Sequence, residues 1–187
     1  EGAVLLLGQN GLRMLLARVA FRPIISQQAG PLARLVAPPL WRQSELCAQA
    51  AGLLAPRSKV DPFEAYLAGL LHNIGLVVAF RVIEQLLAPG ALPDGDAFGT
   101  RMVAAARLIS ARIADAWELP PAIGHAIAHL GDAGALPTLL RDADRLAKLQ
   151  MLAGSGQPLF GRAVLALPPE ARQIYDRLLE QSNRQDA

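Results

Sequence analysis

Cysteine, lysine and β-branched residues are all scarce in this 187-residue sequence. Each of these scarcities argues against a particular type of bond, fold or partner. The single cysteine, Cys47, excludes an internal disulfide bond and fits a reducing compartment. Valine, isoleucine and threonine together supply only 20 residues, which argues against a mainly β fold. Alanine and leucine supply 67 residues, and both are strong helix formers. The composition therefore predicts an all-α fold with a sizeable core.

Clustered charge is also missing. The net charge is only +2, two lysines occur, and the 16 arginines are scattered along the chain. Nucleic-acid-binding domains usually carry a basic stripe, so we expect no nucleic-acid partner. The opening residues do not have the charged and apolar regions of a signal peptide. The most apolar stretch, Leu67–Phe80, is interrupted by His72-Asn73 and is shorter than the roughly 20 residues of a membrane span, so we expect no membrane association.

Glycine and proline divide the remaining sequence into amphipathic segments that predict a compact domain of seven to nine helices. Asp61-Pro62 is a clear helix start, with an N-cap followed by proline at the first helical position. Residues 26–39 have a mixed pattern, and Gly75 marks a break. For the helix predicted at 98–117, the apolar spacing places five residues on the inner face: Met102, Ala105, Ile109, Ile113 and Ala116. The predicted helices are about 9–21, 40–55, 63–71, 76–87, 98–117, 122–130, 137–152 and one from about 169.

His72-Asn73 is the feature of the sequence that most needs an explanation. Two polar side chains within an apolar helix junction cost free energy unless they are hydrogen-bonded or liganded. One interpretation is structural, in which the pair caps a helix end and satisfies itself inside the core. The other is that the pair belongs to a binding site.

The segment GLLHNIG at residues 69–75 resembles the central motif of the HDOD branch of the HD superfamily. Four further stretches match that family in the expected order. They are AVLLLGQNGLRMLL (3–16), LWRQSELCAQAAGLLA (40–55), LISARIADAWELPPAIGHAIAHL (108–130) and LRDADRLAKL (140–149). The resemblance therefore implies a compact, multi-helix, HD-like domain over residues 1–150.

The resemblance also bears on the two ends of the sequence. The family usually places several helices before the Leu-Gly step seen here at Leu7-Gly8, so the resemblance implies that those N-terminal helices are absent from this sequence. Residues 151–187 lie beyond the matched region. We expect them to form a C-terminal helical extension of one or two helices.

Catalytic members of the HD superfamily hold divalent metals with histidine and aspartate side chains, and this sequence departs from that pattern. The central pair is His72-Asn73, and asparagine lacks the negative charge that anchors such a cation. The upstream histidine falls at or near Gln43, and a downstream one falls near Ala106. These replacements argue against metal-dependent hydrolysis.

Few residues that could bind a metal remain. The closing pair of histidines is reduced to His129, and Asp144 matches a later carboxylate. Together with His72, these residues could in principle hold one metal. We instead interpret five residues as a vestigial ligand-binding pocket, with no catalytic residue, bound metal or cofactor: Gln43, His72, Asn73, His129 and Asp144.

Other residues that could carry chemistry have simpler interpretations. His125 precedes His129 by four residues, a helical spacing that can bind zinc. No glutamate follows His125 to act as a base, so we expect His125 to lie on the surface. Cys47 lies on an apolar stripe and is interpreted as a small core residue. Trp41 and Trp117 are interpreted as packing anchors.

The resemblance implies a non-catalytic regulatory domain of bacterial cytoplasmic signalling. Its expected partners are signalling proteins, including components of cyclic-dinucleotide pathways. Two alternatives stay open. One is a metal-dependent HD phosphohydrolase that acts on nucleotides or cyclic dinucleotides, and the other is a pure protein-interaction module.

Overall fold

A computed structural model describes residues 2–26, 30–86, 95–153 and 157–185. These residues contain helices and no strand, which confirms the predicted all-α class. The helices are α1 (Gly2–Ser26), α2 (Pro31–Ser58), α3 (Pro62–Leu71), α4 (Ile74–Leu86), α5 (Asp96–Ala116), α6 (Pro121–Ala128), α7 (Ala135–Ala153), α8 (Pro158–Leu165) and α9 (Pro169–Gln185).

Helix α3 lies at the centre of the core. It packs against α1, α2, α6 and α7, and every residue from Ala65 to Leu71 is buried. A helix that is apolar on all sides is stable only when other helices surround it. At Gly69, a Cβ atom would lie 2.7 Å from the backbone of Ala48 in α2. The abundant small residues therefore let these helices pack closely.

The start of α3 confirms the prediction from Asp61-Pro62. The Asp61 carboxylate accepts hydrogen bonds from the backbone N–H groups of Phe63 and Glu64, each at 2.9 Å. The break predicted at Gly75 is misplaced, because the chain bends at His72-Asn73 and Gly75 lies within α4. Glycine is needed there for packing, since a Cβ atom would lie 1.9 Å from the carbonyl oxygen of Ala106 in α5.

The segment Pro62–Leu86 is long and apolar enough to cross a membrane by length and composition. The apolar stretch identified from the sequence, Leu67–Phe80, is therefore only part of this segment. The structure gives another reason for the apolar character, since 61% of the most apolar window is buried among the other helices. The segment also bends at His72-Asn73, so α3 and α4 are separate core helices.

Two helices are longer than predicted. The prediction was too short because it took prolines as helix boundaries. Helix α1 is kinked at Gly8, whose backbone is not helical, and it continues past Pro23. Helix α2 starts at Pro31 and includes Pro38 and Pro39, within residues expected to be mixed. Proline removes one backbone donor, but its φ angle is compatible with a helix.

The predicted inner face of α5 was wrong. The buried residues are Ala106, Ser110, Ala111 and Ala114, whereas the predicted Ala105 and Ala116 are exposed. The larger apolar residues of the predicted face, Met102, Ile109 and Ile113, are only partly buried. The reason is close packing on both sides of α5, where Gly75 of α4 and Gly124 of α6 approach its backbone. Small residues form this face, whereas the spacing rule favoured large ones.

The residues after 150 complete α7 and then form α8 and α9. Both of these helices pack against α7, and α9 also packs against α2. Val164, Ile174, Tyr175 and Leu178 are buried in the same apolar cluster as the central helices. These two helices therefore share the core of the preceding residues.

Candidate functional site

A cavity of about 150 Å³ lies where α2, the bend after α3, α5, α6 and α7 meet. Its apolar wall includes Ala106, Ile127 and Leu130. Its polar wall is formed by Gln43, His72, Asn73, Arg107, Asp144 and Lys148. The structure thus brings together four of the five residues that the sequence analysis assigned to a pocket.

The bend holds His72 in a fixed orientation. The ring Nδ1 lies 2.6 Å from the carbonyl oxygen of Gly69, so this nitrogen carries a proton and donates it. The Ser110 hydroxyl donates to the backbone carbonyl of His72 at 3.0 Å and accepts from the backbone N–H of Gly75 at 2.8 Å. One buried side chain of α5 therefore satisfies backbone groups on both sides of the bend.

Asp144 is the centre of the polar cluster. Its Oδ1 accepts a hydrogen bond from Gln43 Nε2 at 2.8 Å and lies 3.2 Å from His72 Nε2. Its Oδ2 accepts one from Lys148 Nζ at 2.5 Å. The carboxylate is thus buried with three donors around it, which is the condition under which a buried charge is tolerated.

The geometry favours a protonated His72 ring, because both ring nitrogens face oxygen acceptors. Burial alone would lower the pKa of His72, but Cys47 and the Asp144 carboxylate outweigh it and raise that pKa to about 10. For Asp144, burial would raise the pKa. Hydrogen bonds and charge from His72 and Lys148 outweigh that effect and hold the pKa well below its usual range.

These shifts predict how stability depends on pH. A raised pKa at His72 stabilises the fold below pH 6.5, and this contribution is lost as the pH rises toward about 10. A lowered pKa at Asp144 stabilises the fold above pH 3.8, and this contribution is lost as the pH falls below that value. We therefore expect the free energy of unfolding, measured by urea denaturation, to be highest between these two limits.

The matched variants for this pH profile are His72→Gln and His125→Gln. His72→Gln should remove most of the decline above pH 6.5, because the titrating ring is gone. His125→Gln changes an exposed ring outside the cavity and should leave the profile unchanged. A wild-type profile that stays flat from pH 6.5 to 10 would contradict the assigned His72–Asp144 pair.

Asn73 is the residue of this site with a buried polar atom that lacks a partner. The residue is 9% exposed, and its buried Nδ2 has no hydrogen-bond partner among the described residues. An unsatisfied buried amide costs about 1–3 kcal/mol. The interpretation that His72 and Asn73 satisfy each other is therefore wrong for the side chains, since His72 bonds to Gly69 and Asp144 instead.

The structure does not bring His129 into this group. Its ring is about half exposed, and its Nδ1 lies 3.1 Å from Asp132 Oδ2. The ring also lies 4.6 Å from that of His125, centroid to centroid. The physical reason is that α6 ends at Ala128. Ile127 lines the cavity from the buried side of α6, whereas His129 lies just past the end of the helix as its C-cap and is exposed.

The residues at the cavity do not fit a catalytic divalent metal. Of the three ligands left by the sequence analysis, His129 lies elsewhere, and His72 and Asp144 are bonded to each other. Within the part of the chain that the structure describes, no group of three His, Cys, Asp or Glu residues could hold a metal ion. The Lys148 ammonium already supplies positive charge at the carboxylate.

Sequence reasoning missed two cationic residues of the site, Arg107 and Lys148. Lys148 follows Asp144 by four residues, a helical spacing typical of an ion pair, and this was the available signal. Arg107 was missed because the wrong residues of α5 were predicted to face the core, and so its position beside the cavity was not recognised. Cys47 and Trp41 are buried as predicted, whereas Trp117 is 38% exposed and stacks on Phe21 at 5.1 Å between centroids.

Comparison with known proteins gives two matches and one absence. The family model of the HDOD domain matches residues 1–132. A similar solved structure is the HDOD domain protein with unknown function from Geobacter sulfurreducens, with a TM-score of 0.63 and 22% sequence identity. That match covers 97% of this chain and 70% of the other, and at this identity it shows a shared fold. No curated protein matches the sequence.

Proposed function

Because this chain belongs to the HDOD family, as its sequence motifs predicted, we propose that it is a non-catalytic regulatory domain of bacterial cytoplasmic signalling. It acts by binding a small ligand or a partner protein, and its partners are signalling proteins, including components of cyclic-dinucleotide pathways. It needs no metal and carries out no hydrolysis.

The observation that carries the non-catalytic part of this proposal is the ion pair between Lys148 and Asp144. Asp144 is the only carboxylate among the described residues that line the cavity, and its second oxygen lies 2.5 Å from the Lys148 ammonium. A hydrolytic metal needs ligands that hold it and leave a water molecule activated. Here the ammonium competes with any metal for that carboxylate.

The neighbouring positions support the same conclusion. The resemblance implies that catalytic relatives place metal ligands at Asn73, at or near Gln43 and near Ala106, and all three of these residues line the cavity. Neutral amides and a methyl group cannot supply the negative charge that a hard cation requires. The cavity itself persists, and its unpartnered Asn73 amide supports binding of a ligand rather than a purely structural role.

Metal analysis of the purified protein tests the non-catalytic part. After incubation with Mn²⁺, Fe²⁺ or Zn²⁺ and gel filtration, we expect no stoichiometric metal and no phosphodiesterase activity on nucleotides or cyclic dinucleotides. Stoichiometric metal together with hydrolysis, both lost in His72→Ala and kept in His125→Ala, would overturn the proposal. His125 is the matched control because its ring is exposed and lies outside the cavity.

A thermal denaturation screen separates the two modes of binding. A ligand that binds the native state raises the midpoint by mass action. A saturable rise with a nucleotide or cyclic dinucleotide, abolished by a change in the cavity, would support ligand binding. No rise with any of these compounds, together with a defined complex formed with a signalling protein, would support the pure interaction module.

A further inference from the structure

We infer that the cavity binds a small oxyanion, either inorganic phosphate or the phosphate group of a larger ligand. This inference deepens the proposed function, since it names the ligand chemistry of the same cavity. It rests on three observations: an unpartnered amide, an excess of positive charge and the size of the space.

The unpartnered amide is Asn73. The residue is nine-tenths buried at the cavity wall, and its Nδ2 makes no hydrogen bond within the described part of the chain. The other buried polar groups of this wall are satisfied, since His72 and Asp144 bond to each other and to protein donors or acceptors. A buried donor without a partner is costly, so a ligand acceptor at this place would remove an existing penalty.

The charges at the cavity favour an anion. His72 and Asp144 form an internal pair whose charges cancel wherever the shared proton lies. Two cations remain, the Lys148 ammonium and the Arg107 guanidinium. Arg107 is partly buried and makes no hydrogen bond or ion pair with another described residue, so its five N–H groups are available.

Arginine, lysine and an amide together form a suitable donor set for phosphate. The planar guanidinium binds two phosphate oxygens, and the ammonium acts as a point charge. Lys148 spends one of its three N–H donors on Asp144, so two remain. Its side chain is about half exposed, and so an anion can approach this side of the cavity from solvent.

The size of the cavity limits what fits inside. The cavity has a volume of about 150 Å³. Binding pockets for whole small-molecule ligands are typically about 300–1,000 Å³. The space is therefore suited to one phosphate group, and the remainder of a nucleotide would lie outside it.

Thermal denaturation with inorganic phosphate, compared with sodium chloride at equal ionic strength, tests this inference. We expect a saturable rise of the midpoint with phosphate alone. Arg107→Gln should weaken the affinity by about tenfold or more, because it removes a charged, two-point contact. Arg112→Gln changes an exposed arginine on the same helix and serves as the matched control, with no change expected.

Asn73→Leu gives a second readout that a purely structural role would not produce. We expect a higher midpoint without phosphate, since the unsatisfied amide is removed, and a loss of the rise with phosphate. AMP and a cyclic dinucleotide identify the source of the phosphate. A larger rise with either of them than with phosphate indicates a group on a larger ligand, and an equal rise indicates the free ion.

Two results would overturn the inference: no saturable rise up to millimolar phosphate, or an equal loss in Arg112→Gln and Arg107→Gln. Either result leaves the proposed function intact if the protein also binds no metal and hydrolyses nothing. Stoichiometric metal with hydrolysis would instead overturn the proposed function. The two failures are therefore distinguishable.

Discussion

Asp144→Ala is expected to lower the free energy of unfolding by about 3–5 kcal/mol at about pH 6. The substitution removes the counter-charge of the buried His72 ring and the acceptor of Gln43 and Lys148. Breaking one side of a buried pair is costly because the other group must either stay charged without a partner or give up its proton. Urea denaturation followed by circular dichroism at 222 nm (the usual wavelength for helix) measures the loss.

Asp142→Ala is the matched control on the same helix. Its side chain is about half exposed and pairs with its neighbour Arg141, so we expect a change within about 0.5 kcal/mol. The double variant His72→Leu/Asp144→Leu should be less destabilised than Asp144→Ala, since no buried charge is left without a partner. Equal losses in Asp144→Ala and Asp142→Ala would contradict the buried pair.

Gly75→Ala is expected to cost about 3 kcal/mol or more, although alanine is the better helix former. An added Cβ would lie 1.9 Å from the carbonyl oxygen of Ala106 and 2.8 Å from the Ser110 hydroxyl. A backbone oxygen cannot move aside as a flexible side chain can, so α4 and α5 must separate. Separation would also weaken the hydrogen bond between Gly75 N–H and Ser110.

Gly161→Ala tests the same substitution where space is open. Apart from its chain neighbours and the backbone of its own helix, no atom of the described residues lies within 4 Å of a Cβ built at Gly161 in α8, so only helix propensity should act. We expect Gly161→Ala to stabilise the protein by about 0.5–1 kcal/mol in the same urea experiment. A change at Gly75 as small as that at Gly161 would show that α4 and α5 are not held this closely.

The sequence predicted the fold class and a helix junction that holds a buried polar pair, although it placed the break at Gly75, because these features depend on local sequence. Alanine and leucine favour helices, and Asp61-Pro62 starts α3 wherever the rest of the chain lies. The close packing of α5 could not be predicted in this way. Ala106 is buried and Ala105 is exposed because Gly75 and Gly124 bring other helices near, and spacing along α5 does not contain that information.

Four of the five residues that the sequence analysis assigned to a pocket lie together in the structure. Gln43, His72, Asn73 and Asp144 come from distant segments, and the resemblance placed them in one pocket that the structure also forms. His129 does not line the cavity because it follows the end of α6 with an exposed ring, and the next residue, Leu130, lines the cavity instead. Whether these residues bind a ligand stays a prediction.

The Ser110 hydroxyl has a mechanical consequence for the domain. It joins α5 to His72 and to Gly75, on the two sides of the bend, through two buried hydrogen bonds. Each of these bonds contributes about 1 kcal/mol. A shift of the bend toward or away from the cavity must therefore displace α5 as well, or break those bonds. Leu108, which is 57% exposed on the outer side of α5, would then shift together with the bend.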